Sequence, residues 1–349
     1  MKKILLAVLL SFLLPFVYGD GYKVLFIGNS YTYVNNLPEI IVAMAESTGD
    51  TLVFSSSLPG GSTFQSHVNN STTVSLIQQG GWNYVVLQGQ SQEPSFPDNQ
   101  FYAQTYPYAR QLCEMIQQYN PEAKTVFYMT WGRKNGDQSN CSFFPPLCTY
   151  EGMDSMLYLR YMTMAEDFEA EVSPVGALWH NIRDHHPEIE LYSSDESHPS
   201  LAGSYAAACS FYSVLFRKNP EEVSYNPGIA DDELVNIRKA ASKVVYDSLA
   251  KWFVELPEVP DTLETCIGSF AANHCVVYPN PASEYINIQS DIYISEINVF
   301  SEDGKLIWSK SNVNALKERI SLSSFSAGLY FVQIIDKEGI ITRKKIIIR

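Results

Sequence analysis

From residue 20 to about 255, short apolar runs alternate with longer stretches whose apolar positions recur at helical spacing. That alternation is the signature of an α/β domain with a parallel sheet. The runs predict strands over Tyr22–Ile27, Leu52–Ser56, Tyr84–Gln88, Lys124–Thr130 and Glu171–Val175. Helical patterns cover Leu37–Thr48, Val74–Gln79, Tyr102–Tyr119, Met153–Ala170, Leu201–Phe216 and Asp231–Trp252. Five strands joined by crossover helices predict a three-layer α/β/α sandwich, whose chemistry belongs at the carboxyl ends of the strands.

The pattern stops at Leu256-Pro257-Glu258-Val259-Pro260-Asp261, which reads as a linker over 256–275. Beyond it the period falls to two. Runs such as Tyr285–Ile288, Ile297–Phe300, Leu306–Trp308, Leu329–Val332 and Arg343–Ile348 are separated by the hairpin signals Asp303-Gly304 and Glu338-Gly339. A small all-β sandwich over 276–349 is expected. The N-terminus, with Met1-Lys2-Lys3, the apolar run Ile4–Leu14 and Val17-Tyr18-Gly19, predicts a secretory signal peptide over residues 1–19. Its apolar run is too short to span a bilayer, and no Cys follows the expected cut, so a free exported chain is expected rather than a lipid-anchored one.

Charge narrows the partners. Of 349 residues, 24 are Lys or Arg and 38 Asp or Glu, a formal net charge of −14. Residues 20–275 hold 13 basic and 30 acidic side chains, whereas residues 276–349 hold 9 and 8. Nucleic acid is an unsuitable partner for so acidic a surface, and so is an anionic membrane; no stable membrane insertion is expected. Six Cys in an exported chain point to disulfides. Cys141 with Cys148 and Cys266 with Cys275 make two short loops, while Cys113 and Cys209 are either a third bridge or buried thiols.

Four polar loops follow successive strands. Gly28-Asn29-Ser30 places a hydroxyl and its own backbone N–H at a strand-to-helix turn, where a nucleophile is useful and where a capping serine is equally at home. Gly60-Gly61-Ser62-Thr63 offers bare backbone N–H groups, and Gln88-Gly89-Gln90-Ser91-Gln92 offers carboxamides; both suit an oxyanion. In Asp195-Glu196-Ser197-His198-Pro199 a carboxylate three residues before an imidazole can accept its Nδ1–H and leave Nε2 to take a proton.

In this order the four blocks resemble those of the SGNH (GDSL-type) hydrolase superfamily, over about residues 20–255. Pro174-Val175-Gly176-Ala177-Leu178-Trp179, ahead of the last block, is similar to that superfamily's final strand. The resemblance implies a flavodoxin-like sheet, Ser30 as nucleophile, His198 as general base, Asp195 as its orienter, and oxyanion donors from the Ser30 and Gly61 or Gly60 backbone. It departs at the third block, where Gly-x-Asn is usual and a Gln stands in. Gln88, Gln90 and Gln92 are the candidates, with Gln90 preferred because it follows the strand end and precedes Ser91.

The C-terminal part resembles a second family. Val277-Tyr278-Pro279-Asn280-Pro281-Ala282, Val299–Lys305, Ser326–Val332 and the basic Arg343-Lys344-Lys345 look like the type A C-terminal sorting domain of the type IX secretion system. That implies a Bacteroidetes-type source, the secretion machinery as partner, export across the outer membrane, and removal of this domain on the way.

The expected activity is a secreted serine esterase acting on O-acylated carbohydrate or another small ester, without cofactor or metal. The rival is an inactive SGNH-like domain that binds glycans at the cell surface. A third reading, a metal hydrolase using Asp195, His198 and the His185-His186 pair, suffers because adjacent His side chains diverge. His67 faces either the site or solvent. Phe96, Trp131, Phe143, Phe144 and Tyr150 are core residues or a sugar-stacking platform.

Overall fold

The computed structural model describes residues 21–255, 275–301, 305–337 and 341–349. The predicted signal peptide, Cys266 and nearly all of the linker lie outside them. The chain divides into two compact units, one ending at Glu258 and one beginning at Val259.

In the first unit, β1 (Tyr22–Ile27), β2 (Leu52–Ser57), β3 (Tyr84–Leu87), β4 (Lys124–Tyr128) and β5 (Glu171–Ser173) form one parallel sheet in the order β2-β1-β3-β4-β5. The register starts at Tyr22 opposite Leu52, Val24 opposite Tyr84, Tyr84 opposite Lys124 and Val126 opposite Glu171. Central strands are covered on both faces, which is why they read as continuous apolar runs: Val24, Leu25, Phe26, Val85, Val86, Leu87, Val126, Phe127 and Tyr128 are all solvent-inaccessible.

The helices are α1 (Ser30–Tyr33), α2 (Leu37–Glu46), α3 (Phe64–Val68), α4 (Ser71–Gln79), α5 (Tyr106–Tyr119), α6 (Tyr150–Asp167), α7 (Val175–His185), α8 (Leu201–Phe216) and α9 (Asp231–Val244), with shorter turns between some of them. One layer packs α2, α7, α8 and α9 together; the other packs α3, α4, α5 and α6. In α5 the buried set Ala109, Leu112, Cys113 and Ile116 follows the i, i+3, i+4, i+7 stripe. In α8 all residues from Ala202 to Leu215 are buried, so this helix is apolar all round.

One sequence expectation is corrected here. Strand β5 ends at Ser173, and the segment expected to continue as the final strand, Pro174 to Trp179, is the start of α7. Its buried positions Val175, Gly176, Leu178, Trp179 and Ile182 carry a helical period. Gly176 packs against the Thr130 carbonyl at a separation that leaves no room for a Cβ.

The second unit is antiparallel: β6 (Cys275–Tyr278), β7 (Tyr285–Ser301), β8 (Leu306–Ser321), β9 (Gly328–Asp336) and β10 (Ile341–Ile348). Two runs expected as separate strands merge into the long β7, which pairs with β6 near its start, with β9 near its end and with β8 along both halves. Inward-facing Ile286, Ile288, Ile297, Val299, Ile320, Val332 and Ile346 make a core of its own.

Among the described residues, no helix is long and apolar enough to cross a membrane. Cys141 and Cys148 form a disulfide. Cys113 and Cys209 are separate buried thiols whose pKa values burial pushes up to about 12. Of the expected Cys266 to Cys275 pair, Cys266 lies outside the described residues.

Candidate active site

All the polar loops singled out in the sequence emerge at the carboxyl edge of the sheet. After β1 the chain turns at Gly28 and starts α1 at Ser30, capped by Asn29, whose Oδ1 accepts the Tyr31 N–H at 3.1 Å. Gly28 is required sterically: a Cβ there would lie 2.7 Å from Gln88 Oε1 and 2.8 Å from Thr32 Oγ1. The Gln88 carboxamide oxygen accepts from the Asn29 N–H at 2.8 Å and from the Thr32 hydroxyl at 3.1 Å. Asn29 Nδ2 in turn donates to the Ser62 carbonyl at 3.0 Å. Two buried amides thus tie the first three loops together.

A second chain holds the turn from below. His67 is buried, and its Nε2 donates to the Gly28 carbonyl at 2.9 Å. Its Nδ1 accepts from the Thr73 hydroxyl at 2.9 Å, so the Ser57 hydroxyl, 2.8 Å from Thr73 Oγ1, is the donor to Thr73. Burial lowers the His67 pKa and keeps the ring neutral. The ring belongs neither to the surface nor to the reacting edge; it positions the turn.

The loop after α7 brings Asp195 and His198 against Ser30. Asp195 Oδ1 accepts the Ser197 N–H at 3.1 Å and the His198 N–H at 2.9 Å, so the carboxylate folds its own turn. Its Oδ2 lies 2.5 Å from His198 Nδ1, and His198 Nε2 lies 2.8 Å from Ser30 Oγ. A carboxylate only accepts, so Nδ1 carries the proton and Nε2 is the acceptor of the serine O–H. Partial burial pushes the Asp195 pKa up, but the His198 ring and the two backbone N–H groups outweigh it and hold the carboxyl below its usual value.

An aromatic stack, not anticipated from the sequence, supports this loop. Tyr31 lies parallel to Trp131 with centroids 4.6 Å apart, and Trp131 stacks on Trp179 at 3.8 Å. The Tyr31 hydroxyl is 2.7 Å from Ser197 Oγ, and Trp131 Nε1 donates to the Ser197 carbonyl at 3.1 Å. Asn35 Nδ2 adds bonds to the Pro199 and Ser200 carbonyls. Residues 31 to 35 and 197 to 200 are therefore fastened to each other.

The remaining candidates divide. Gly61 sits at φ +67° with nothing near a hypothetical Cβ, and among the described residues neither its N–H nor that of Ser30 or Gly60 has a protein acceptor. Gln90 folds back on its own turn: Oε1 accepts the N–H groups of Gln92 at 2.6 Å and Glu93 at 3.0 Å, and Nε2 donates to Gln92 Oε1 at 3.3 Å. Gln92 Nε2 donates to the buried Asp137 at 2.6 Å. His185 bonds the Asn181 carbonyl and His186 faces Glu188, so neither joins His198. Among the described residues no group of three or more His, Cys, Asp or Glu is arranged to hold a metal ion. Of the five aromatics weighed as a platform, Trp131 and Tyr150 are buried; Phe143 is 50% exposed and packs edge-on against Phe96 at 6.2 Å.

Comparison with known proteins fits each unit separately. Residues 276–349 match the family model of the secretion system C-terminal sorting domain. That domain marks the chain for type IX export to the cell surface or beyond. The first unit resembles solved structures in fold. A DUF4886 family protein from Bacteroides uniformis aligns at 18% identity and a TM-score of 0.56, over 69% of this chain and 98% of that one. An acetyl xylan esterase from Geobacillus stearothermophilus, Axe2, aligns at 15% identity and 0.40, over 61% and 99%; the esterase EstA from Pseudoalteromonas aligns at 13% and 0.42, over 56% and 97%. At 18% identity the likeness to the Bacteroides uniformis protein is one of fold: a five-stranded parallel sheet flanked by helices on both faces. No curated protein matches the chain.

Proposed function

We propose that the exported chain is a serine esterase, with O-acyl groups on a carbohydrate as its substrate. The observation that carries the proposal is the continuous alignment Ser30 Oγ, His198 Nε2, His198 Nδ1, Asp195 Oδ2, with spacings of 2.8 and 2.5 Å. Ser30 Oγ attacks the ester carbonyl while its proton passes to His198 Nε2, and Asp195 stabilises the imidazolium that forms. The same proton then goes to the departing sugar oxygen. Water, deprotonated by His198, attacks the acyl-enzyme and releases the acid, restoring Ser30 with its proton. The unpartnered N–H groups of Ser30 and Gly61 are the backbone donors to the oxyanion. Gln90, whose Nε2 has a second hydrogen beyond the one given to Gln92, is the side-chain donor. Each such donor contributes on the order of 10²–10³ in rate.

The test is covalent labelling by a fluorophosphonate probe, run on the wild type and Ser30→Ala beside hydrolysis of p-nitrophenyl acetate. Wild type labels and hydrolyses; Ser30→Ala does neither. Equal labelling of both proteins overturns the assignment. Retention on a glycan column with no labelling of the wild type replaces it by the glycan-binding alternative.

A further inference from the structure

A carboxamide that serves an oxyanion must present its NH2 and not its oxygen, which would repel the developing charge. The last torsion of a Gln side chain is broad and roughly two-fold, so the residue type alone does not decide which end faces the site. Gln90 therefore has to be held one way round by its surroundings.

The chain brings Gln90 opposite Ser30. Asn29 Nδ2 lies 3.5 Å from the Gly89 carbonyl, and the Ser91 side chain reaches the Tyr31 hydroxyl. The two neighbours of Gln90 thus touch the two neighbours of Ser30, and Gln90 itself is half-buried between them at the carboxyl edge of the sheet.

Its orientation is imposed from both ends by groups that cannot exchange roles. Gln90 Oε1 accepts the backbone N–H groups of Gln92 at 2.6 Å and Glu93 at 3.0 Å, and a backbone N–H only donates. At the far end Gln92 Nε2 donates to Asp137 Oδ2 at 2.6 Å, and a carboxylate only accepts. The Gln92 oxygen is left facing Gln90, where it takes one hydrogen of Nε2 at 3.3 Å. Asp137 is a fixed anchor. It is solvent-inaccessible and also accepts from Asn140 Nδ2 at 2.6 Å, the Ser139 N–H at 3.3 Å and Arg133 Nη1 at 3.4 Å. Its backbone bonds the Leu147 carbonyl and the Cys141 N–H, which belong to the loop closed by the Cys141 to Cys148 disulfide.

We propose that Asp137 and Gln92 are positioning residues for Gln90: the buried carboxylate sets the Gln92 amide, and the Gln92 oxygen holds the second Gln90 N–H towards the oxyanion formed at Ser30. The inference rests on the esterase reading. Both ends of the Gln92 amide are occupied, so Gln92 acts through Gln90 and not on the substrate.

The experiment is a double-mutant cycle on the full chain, reading kcat and KM for p-nitrophenyl acetate in the wild type, Gln90→Ala, Gln92→Met and the double variant. Gln92→Met keeps the side-chain length and leaves Asp137 its three other donors and Gln90 Oε1 its two backbone bonds. Gln90→Ala lowers kcat about 10²-fold, the value of one oxyanion donor, and Gln92→Met, which loosens that donor without removing it, lowers kcat about ten-fold with KM within about two-fold. The double variant stays within about two-fold of Gln90→Ala, because nothing is left to position. A purely structural Gln92 would slow the Gln90→Ala protein by the same ten-fold. Thermal unfolding of each variant checks the fold, and Gln92→Ala takes the same place in the cycle if Gln92→Met lowers Tm. The relay is overturned if Gln92→Met keeps the wild-type kcat, if its effect is undiminished in the Gln90→Ala background, or if Gln90→Ala itself is as active as the wild type. An active wild type with such a result loses the relay alone; a wild type that neither cleaves the ester nor takes a fluorophosphonate label loses the esterase and the relay together.

Discussion

Asp195→Asn separates the orienting role of the carboxylate from its role in shaping the loop. The Asn keeps an oxygen for the Ser197 and His198 N–H groups that Oδ1 accepts at 3.1 and 2.9 Å, so the turn survives. At the other atom an amide N–H replaces Oδ2, 2.5 Å from Nδ1. Two N–H groups cannot face each other at that distance, so the imidazole shifts its proton to Nε2 and presents a donor to Ser30 Oγ. General-base catalysis is then lost, an effect of roughly 10²–10⁴ in rate. The Asp195 side chain is 49% exposed, so water can partly take its place and the lower end of the range applies. The expectation is a fall in kcat of about 10²–10³, or about 3–4 kcal/mol of transition-state stabilisation, with stability changed by less than about 1 kcal/mol because the pair is open to solvent. The sign with pH follows from the carboxyl's lowered pKa: the pair's stabilisation is present above the unfolded carboxylate value and is lost as pH falls through the lower, folded one. Urea unfolding curves of variant and wild type therefore converge in acid. Steady-state hydrolysis of p-nitrophenyl acetate and the rate of fluorophosphonate labelling at pH 7 measure the loss. A kcat within three-fold of the wild type, with folding intact, refutes the general-base role of His198.

Two further substitutions probe the frame of the site. Gln88→Leu leaves the buried Asn29 N–H and Thr32 hydroxyl without their acceptor; a loss of about 2–4 kcal/mol in urea unfolding and a fall in kcat are expected, with Gln88→Glu recovering more than Gln88→Leu, and a wild-type Leu variant refutes the tie. Glu93 sits in the same loop with a buried Oε2 that has no partner, and burial raises its carboxyl pKa to about 7. Ionisation therefore opposes folding: the penalty is absent below the unfolded value, grows as pH rises towards 7 and is complete above it. Discounted for its partly wet side chain, it amounts to about 1–2 kcal/mol. Glu93→Gln is then more stable than the wild type at pH 8 but not at pH 4.5; an equal difference at both pH values rejects this account.

The sheet was legible because its central strands are buried on both faces and therefore written as apolar runs, as in Val24–Ile27 and Tyr84–Leu87. α7 is less legible: its buried positions have a helical spacing, but the run follows β5 directly and resembles a family strand. β7 was split in two because a long strand that changes partners along its length carries no mark of continuity in its period. The turns of the candidate site could be read from residue type: Ser30 at a helix start, and Asp195 three residues before His198.

What sequence reading could not supply is the set of bonds that make those turns stand still, because each joins residues far apart in the chain and each uses a residue with an ordinary local explanation. Gln88 is one of three candidate donors by sequence and in the fold is an acceptor for the turn that carries Ser30. His67 looked like a surface or site residue and is a buried strut. Tyr31 reads as one more aromatic beside a serine, yet its hydroxyl reaches across 166 positions to Ser197 while its ring rests on Trp131. Consecutive residues of α1 are thus divided between two tasks, Ser30 at the imidazole and Tyr31 at the loop that holds it. A shift of either element is transmitted to both contacts, so the 2.8 Å spacing of Ser30 and His198 is set as much by the neighbours of these two side chains as by the side chains themselves.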